Sequence, residues 1–155
     1  MDSVGEPSME GTYRKLAVAI AINTVVMYFV TYVNLAEIGH FAHNLNRMYM
    51  ALLMAAPMVV VMLIVMSAMF QNRKLNVALH GLAAGSFAVL FFLVRAQAPV
   101  GDEQFLRSMI PHHSSAILMC ERAAITDPEI TALCEEIVRS QEEEIARMQR
   151  MRARY

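Results

Sequence analysis

Met48-Tyr-Met-Ala-Leu-Leu-Met-Ala-Ala-Pro57-Met-Val-Val-Val-Met-Leu-Ile-Val-Met-Ser-Ala-Met-Phe70 runs for 23 residues without an Asp, Glu, Lys or Arg. A helix of about 20 such residues crosses the roughly 30 Å hydrocarbon core of a bilayer. Two further blocks free of charge, residues 16–36 and 75–94, lie on either side of it. Three transmembrane helices are therefore expected. The opposing reading buries these helices in a soluble bundle. It would need polar elements to cover all three, and the remainder of the 155 residues is too short for that. The first block is too long for a signal-peptide core and no small-residue cleavage site follows it, so it reads as a retained anchor.

Composition narrows the field further. The chain is 57% hydrophobic with a net charge of -1, and a balance so near neutral argues against nucleic acid as a partner. Two cysteines are too few for a disulfide framework. Ten of the 14 acidic residues follow Pro99. The chain divides into an N-terminal segment (1–15), a three-helix transmembrane region (16–95), a linker (96–101) and a tail (102–155).

Lys and Arg at the block ends set the orientation. Arg14, Lys15, Arg73 and Lys74 fall on one side, Arg47 and Arg95 on the other. The expected topology is a multi-pass protein of the plasma (inner) membrane, N-terminus cytoplasmic and tail extracytoplasmic. The first loop, with Glu37, His40 and His43, then shares a compartment with His112 and His113. His80 lies inside the third span.

Within the spans the signals are weaker. Met50, Met54, Met58, Met62 and Met66 step by four, which turns about 40° per step, so the ladder winds around its helix. Methionine is an adaptable apolar filler as well as a soft ligand, and both readings stand. Pro57 should disturb its helix locally. Gly81 and Gly85 make a small-xxx-small pair that suits close helix approach, within the chain or between copies. Asn23 and Thr24 are expected to hydrogen-bond to neighbouring helices.

The tail reads as a helical hairpin. Asp102 can cap a first helix running to about Thr126. Asp127 can cap a second, with Pro128 at its first position and Glu129 in its first turn, running to near Arg154. On the first helix, Met109, His112, His113, Ala116, Met119 and Cys120 share an arc of about 120°. On the second, Ile130, Cys134, Ile137, Val138, Gln141, Glu144, Ile145 and Met148 do the same, and the two arcs are expected to meet. Folding about Asp127 sets His112 and His113 opposite Gln141 to Glu144, and Met109 opposite Ile145 to Met148. A carboxylate on an apolar stripe needs a partner. Pro111 frees the carbonyl of Arg107 just before the histidine pair.

Met109, His112 and His113 lie three and four residues apart, on one side of a helix. Thioether with imidazole suits soft metals such as Cu(I). The alternative is a helix-packing hydrogen bond from histidine to Glu144. Cys120 and Cys134 lie equally far from the turn; a disulfide, buried thiols and extra soft ligands are all open.

The run Asp102-Glu-Gln-Phe-Leu-Arg-Ser-Met109-Ile-Pro-His112-His113-Ser-Ser-Ala-Ile-Leu-Met119, with Gln141 and Glu144-Ile-Ala-Arg-Met148 downstream, resembles the domain of unknown function 305 family. The membrane part resembles its three-span, metal-resistance-associated branch. The resemblance implies a ferritin-like helical fold and extracytoplasmic copper or silver binding. By it, the motif positions are Met109, His112, His113, Met119, Gln141, Glu144 and Met148. Cys120 and Cys134 depart from the small residues usual there. Many soluble relatives carry two hairpins and this chain has one, which implies that two copies pair into a four-helix bundle.

The expected fold class is thus all-α: three transmembrane helices, then an extracytoplasmic hairpin completed by a dimer. The leading function is membrane-anchored binding of Cu(I), Cu(II) or Ag(I) for buffering, resistance or delivery, with a possible second site at His40, His43 and Glu37. A second reading is a dimerising module that docks a metal-transport protein. A third is a ferritin-like metal oxidase, for which Glu37 and His40 have the Glu-x-x-His spacing once only.

Overall fold

The computed structural model describes residues 9–155. Among them are five α-helices, one short 3-10 turn and no strand. The helices are α1 (Met9–Val30), α2 (Leu45–Val65), α3 (Arg73–Ala96), α4 (Asp102–Arg122) and α5 (Pro128–Arg152), with the 3-10 turn at Ile38–His40 between α1 and α2. The first three are each long and apolar enough to cross a bilayer, with mean hydropathies of 1.4, 2.5 and 2.1. Chain contacts gather into two units, residues 9–28 with 49–96, and residues 29–48 with 97–155.

In the first unit, helix starts are set by side chains that the apolar pattern hides. Asn72 Oδ1 accepts from the backbone N–H of Leu75 and so caps α3. Helix α1 extends back through Lys15 and Arg14 to Met9, because charged straight-chain residues are good helix formers even where the apolar run has ended. Leu16, Leu63 and Phe70 form the core, with Tyr13, Ile20, Val59, Met62 and Leu79 against it. Tyr13 donates to Asn76 Oδ1 at 2.7 Å, and Asn76 Nδ2 donates to the Phe70 carbonyl at 2.7 Å. His80 Nδ1 lies 2.7 Å from the Asn76 carbonyl one turn back.

Two expectations for this unit change. Thr24 donates to the Ile20 carbonyl of its own helix, the usual outlet for a mid-helix hydroxyl, and not to a neighbour. A Cβ added at Gly81 or Gly85 would meet nothing within 4 Å, so this pair marks no close helix contact among the described residues. The buried small residues are instead Ala51, Ala55, Ala56 and Ala83. Helix α2 runs through Pro57 without a break.

The second unit is more than a hairpin. Helix α1 unwinds after Val30 through successive i to i−3 bonds from Tyr32, Val33 and Leu35. Tyr32 then donates to the Ala42 carbonyl at 2.8 Å, closing residues 32–42 into a loop whose two ends are buried. The Arg47 guanidinium lies 4.2 Å above the Tyr32 ring. Asn44 Oδ1 accepts from the Arg47 N–H and caps α2. Helices α4 and α5 pack around Leu106, Ile110, Ile117, Ile145 and Met148, and Ala36 of the loop joins that core.

At the hairpin bend, Asp127 caps α5 by accepting from the N–H groups of Glu129 and Ile130, with Pro128 at the first position, as the sequence indicates. Asp102 does not cap α4. Gly101 holds that place, and Asp102 sits inside the first turn, where its charge still favours the dipole. Helix α4 ends at Arg122, four residues short of Thr126, and passes through Pro111 uninterrupted.

Candidate metal centre on the hairpin

The register of α4 on α5 brings chemistry together at one level. His113, 7% exposed, places Nε2 2.6 Å from Glu144 Oε2. Its Nδ1 lies 2.9 Å from the Met109 carbonyl of its own helix. A ring nitrogen facing a carbonyl must carry the proton, so Nδ1 donates. A second proton then lies between Nε2 and the carboxylate. Glu144 itself is 55% exposed along its side chain, so it reaches the pair from the open side. This is the helix-packing hydrogen bond that the spacing allowed.

His112 stands apart from that pair. It is exposed, makes no hydrogen bond among the described residues, and its ring centre is 6.1 Å from that of His113. Met109 and Met148 pack in or against the core on either side of the interface. Gln141 is half-buried on α5. Met119 is 69% exposed and contributes nothing to this cluster within one chain. The structure therefore pairs His113 with Glu144, packs Met109 and Met148 in the apolar core between the same two helices, leaves His112 open, and leaves Met119 outside.

Part of the reason is a rotated helix face. The buried residues of α4 are Leu106, Ile110, Pro111, His113, Ser114 and Ile117. At about 100° per residue, their centre lies roughly 100° around the helix from the centre of the expected stripe. The wheel assumed one partner, α5. The loop of residues 32–42 is a second partner on the other flank. Ser114, fully buried, is its anchor: the hydroxyl accepts from the Ala36 N–H at 2.9 Å and sits 2.9 Å from His40 Nδ1. Sequence reasoning missed Ser114. The signal was a serine three and four residues from Ile117 and Ile110, a polar group in an apolar stripe with no partner on its own helix.

His40 is mostly buried, with Nε2 3.8 Å from Glu37 Oε2. Both line a cleft of about 320 Å³ with Glu121, Glu142 and Gln149. His43 is not part of that cleft, and its ring meets Phe41 edge-on at 5.0 Å. No group of three or more His, Cys, Asp or Glu converges as a ready metal cage among the described residues. Cys120 and Cys134 are joined in a disulfide with Cα atoms 5.3 Å apart. Of the three readings open for these cysteines, the structure takes the first, which removes both thiols as ligands.

Comparison with known proteins gives two matches. The sequence profile of the domain of unknown function 305 matches residues 65–152. An uncharacterised protein of Acanthamoeba polyphaga mimivirus is 34% identical over 114 residues, covering 72% of this chain and 73% of the relative. No solved structure matches.

Proposed function

We propose that this chain, which belongs to the domain of unknown function 305 family and carries in its hairpin the Met109-Ile-Pro-His112-His113 segment by which it resembles that family, is a membrane-anchored binder of a soft transition metal, copper or silver. One observation carries the reading: two imidazoles lie on one turn of α4, one open and one held by Glu144 of α5, in a hairpin whose core includes Met109 and Met148. The donor set fits such an ion. His112 offers a nitrogen with no competing hydrogen bond. His113 is oriented by the Met109 carbonyl, as metal-binding histidines commonly are by a group on their second nitrogen. Met109 and Met148 supply the soft sulfur that favours Cu(I) or Ag(I) over harder cations. Glu144 and Gln141 act as further ligands or orienting groups, and a metal at His113 Nε2 would displace the shared proton.

The proposed setting is a bilayer, crossed by α1, α2 and α3, with the hairpin outside the cytoplasm. The apolar length of these helices supports the first part. The Cys120–Cys134 disulfide supports the second, since such bonds persist in oxidising compartments. Met119, Phe105, Ile130 and Leu133 are exposed apolar residues of the hairpin, and they support a dimer in which two hairpins complete a four-helix bundle. The same surface suits docking on a metal transporter. His40 and Glu37 are proposed as a second, smaller donor set.

The test is a competition titration of the full chain in detergent with Cu(I) or Ag(I) against a chelator. His112→Ala combined with His113→Gln is expected to weaken binding by at least about tenfold, one ligand's energy being more than 1.4 kcal/mol. Unchanged affinity would overturn the reading.

A further inference from the structure

The end of α5 carries Arg147, Arg150, Arg152 and Arg154, and no Asp or Glu follows Glu144. None of the four forms an ion pair among the described residues. Complementarity to the helix dipole accounts for Arg150 and Arg152, which lie in the last turn. It does not account for Arg147, a turn earlier, or Arg154, beyond the helix. The acidic residues Glu129, Glu135, Glu136, Glu142 and Glu143 all lie on the other side of Glu144, toward the hairpin bend. Along α5 the balance of charge thus changes from mostly acidic to wholly basic past Glu144, although Asp102 and Glu103 of α4 lie at the same end as the arginines.

Hydrogen bonds fix where the basic end sits. Tyr155 donates to Asp102 Oδ2 at 3.3 Å, so the chain terminus returns to the first residue of α4. The N–H of Leu45, the first residue of α2, donates to Gln104 Oε1 at 3.2 Å. Asn46 Nδ2 donates to Gln97 Oε1 at 3.0 Å and reaches Ser108 Oγ at 3.4 Å. The start of α2, the start of α4 and the end of α5 therefore share one level. On the proposed reading that α2 spans a bilayer, on which this inference rests, that level is the membrane surface.

We infer that the arginine end of α5 is a binding surface for anionic phospholipid headgroups of the leaflet from which α2 starts. Guanidinium groups pair with phosphate through two parallel hydrogen bonds, and the attraction of each falls away within a Debye length of about 10 Å. Only groups at the membrane level contribute, and of the carboxylates on that level Glu103 is paired with Arg107 and Asp102 accepts from Tyr155, so neither is paired with these four arginines.

The chain contains no Trp, so Ala153→Trp, an exposed position, provides a single fluorophore beside the arginines. This variant is reconstituted into phosphatidylcholine vesicles doped with either dibromophosphatidylglycerol or dibromophosphatidylcholine, then washed at alkaline pH. The expected result is stronger quenching by the anionic brominated lipid, lost at high salt. Changing arginines 147, 150, 152 and 154 to Gln should lower the ratio of lipid-contacting to free tail about fivefold per residue. Loss of the chain from the washed vesicles overturns the spanning reading, and this inference with it. Retention with equal quenching by both lipids, or with quenching indifferent to the arginines, overturns this inference alone. Suppression of the quenching by inorganic phosphate at matched ionic strength also overturns it, since the surface would then be a site for free anions.

Discussion

At the residue scale, His112 and His113 are neighbours with opposite duties. His113 is buried and bonded at both nitrogens; His112 is open and bonded at neither. His112→Ala is expected to leave thermal stability within about 0.5 kcal/mol of the parent while weakening silver or copper binding. His113→Ala is expected to cost about 1–3 kcal/mol whether or not metal is present, because it removes the partner of Glu144 and a buried ring. Thermal unfolding in detergent, with and without metal, separates the two. Ser114→Ala should cost about 1–3 kcal/mol, since the Ala36 N–H and the His40 ring each lose a buried partner. Hydrogen exchange at Ala36 is the sharper measure: it should quicken in this variant and stay slow in His112→Ala.

At the scale of elements, the hairpin is held at three points along its length: the Cys120–Cys134 disulfide near the bend, His113 with Glu144 midway, and Asp102 with Tyr155 at the open end. The disulfide closes a 15-residue ring, counting residues 120 to 134 inclusive. Reduction is expected to cost about 3 kcal/mol, and the Cys120→Ala plus Cys134→Ala variant should show the same loss without reductant. Alkylation before and after reduction, read by mass, checks that both sulfurs are paired. Much of this element was legible in the sequence. Asp127-Pro128-Glu129 announces its helix start by local chemistry alone, and folding about it set Glu144 opposite the histidine pair. The buried face of α4 was not legible. A helical wheel reports periodicity, and two partners on different flanks blur one stripe into two. Ser114 stayed hidden for the same reason: its partners are 74 and 78 residues away in sequence. Asn44 and Asn72 as caps were legible in principle, but the apolar blocks drew the boundaries elsewhere.

At the scale of the whole molecule, the connection between α1 and α2 belongs to the same unit as the hairpin. A fragment of residues 97–155 loses Ala36, His40 and the loop that covers Ser114. It is expected to bind an apolar dye more strongly, and to melt lower, than the same residues do in the full chain, as followed by fluorescence and circular dichroism. Equal behaviour of fragment and full chain would show that the loop contributes nothing. The three apolar helices were the most legible feature of all, because length and absence of charge suffice to identify them.

The ring closed by Cys120 and Cys134 has an outcome for handling the protein. Arg122 is exposed and lies within that ring, at the end of α4. Trypsin cutting there would nick the chain without parting it. The two pieces would travel together until a reductant is added, and the His113–Glu144 contact, outside the ring, would keep its geometry across the break.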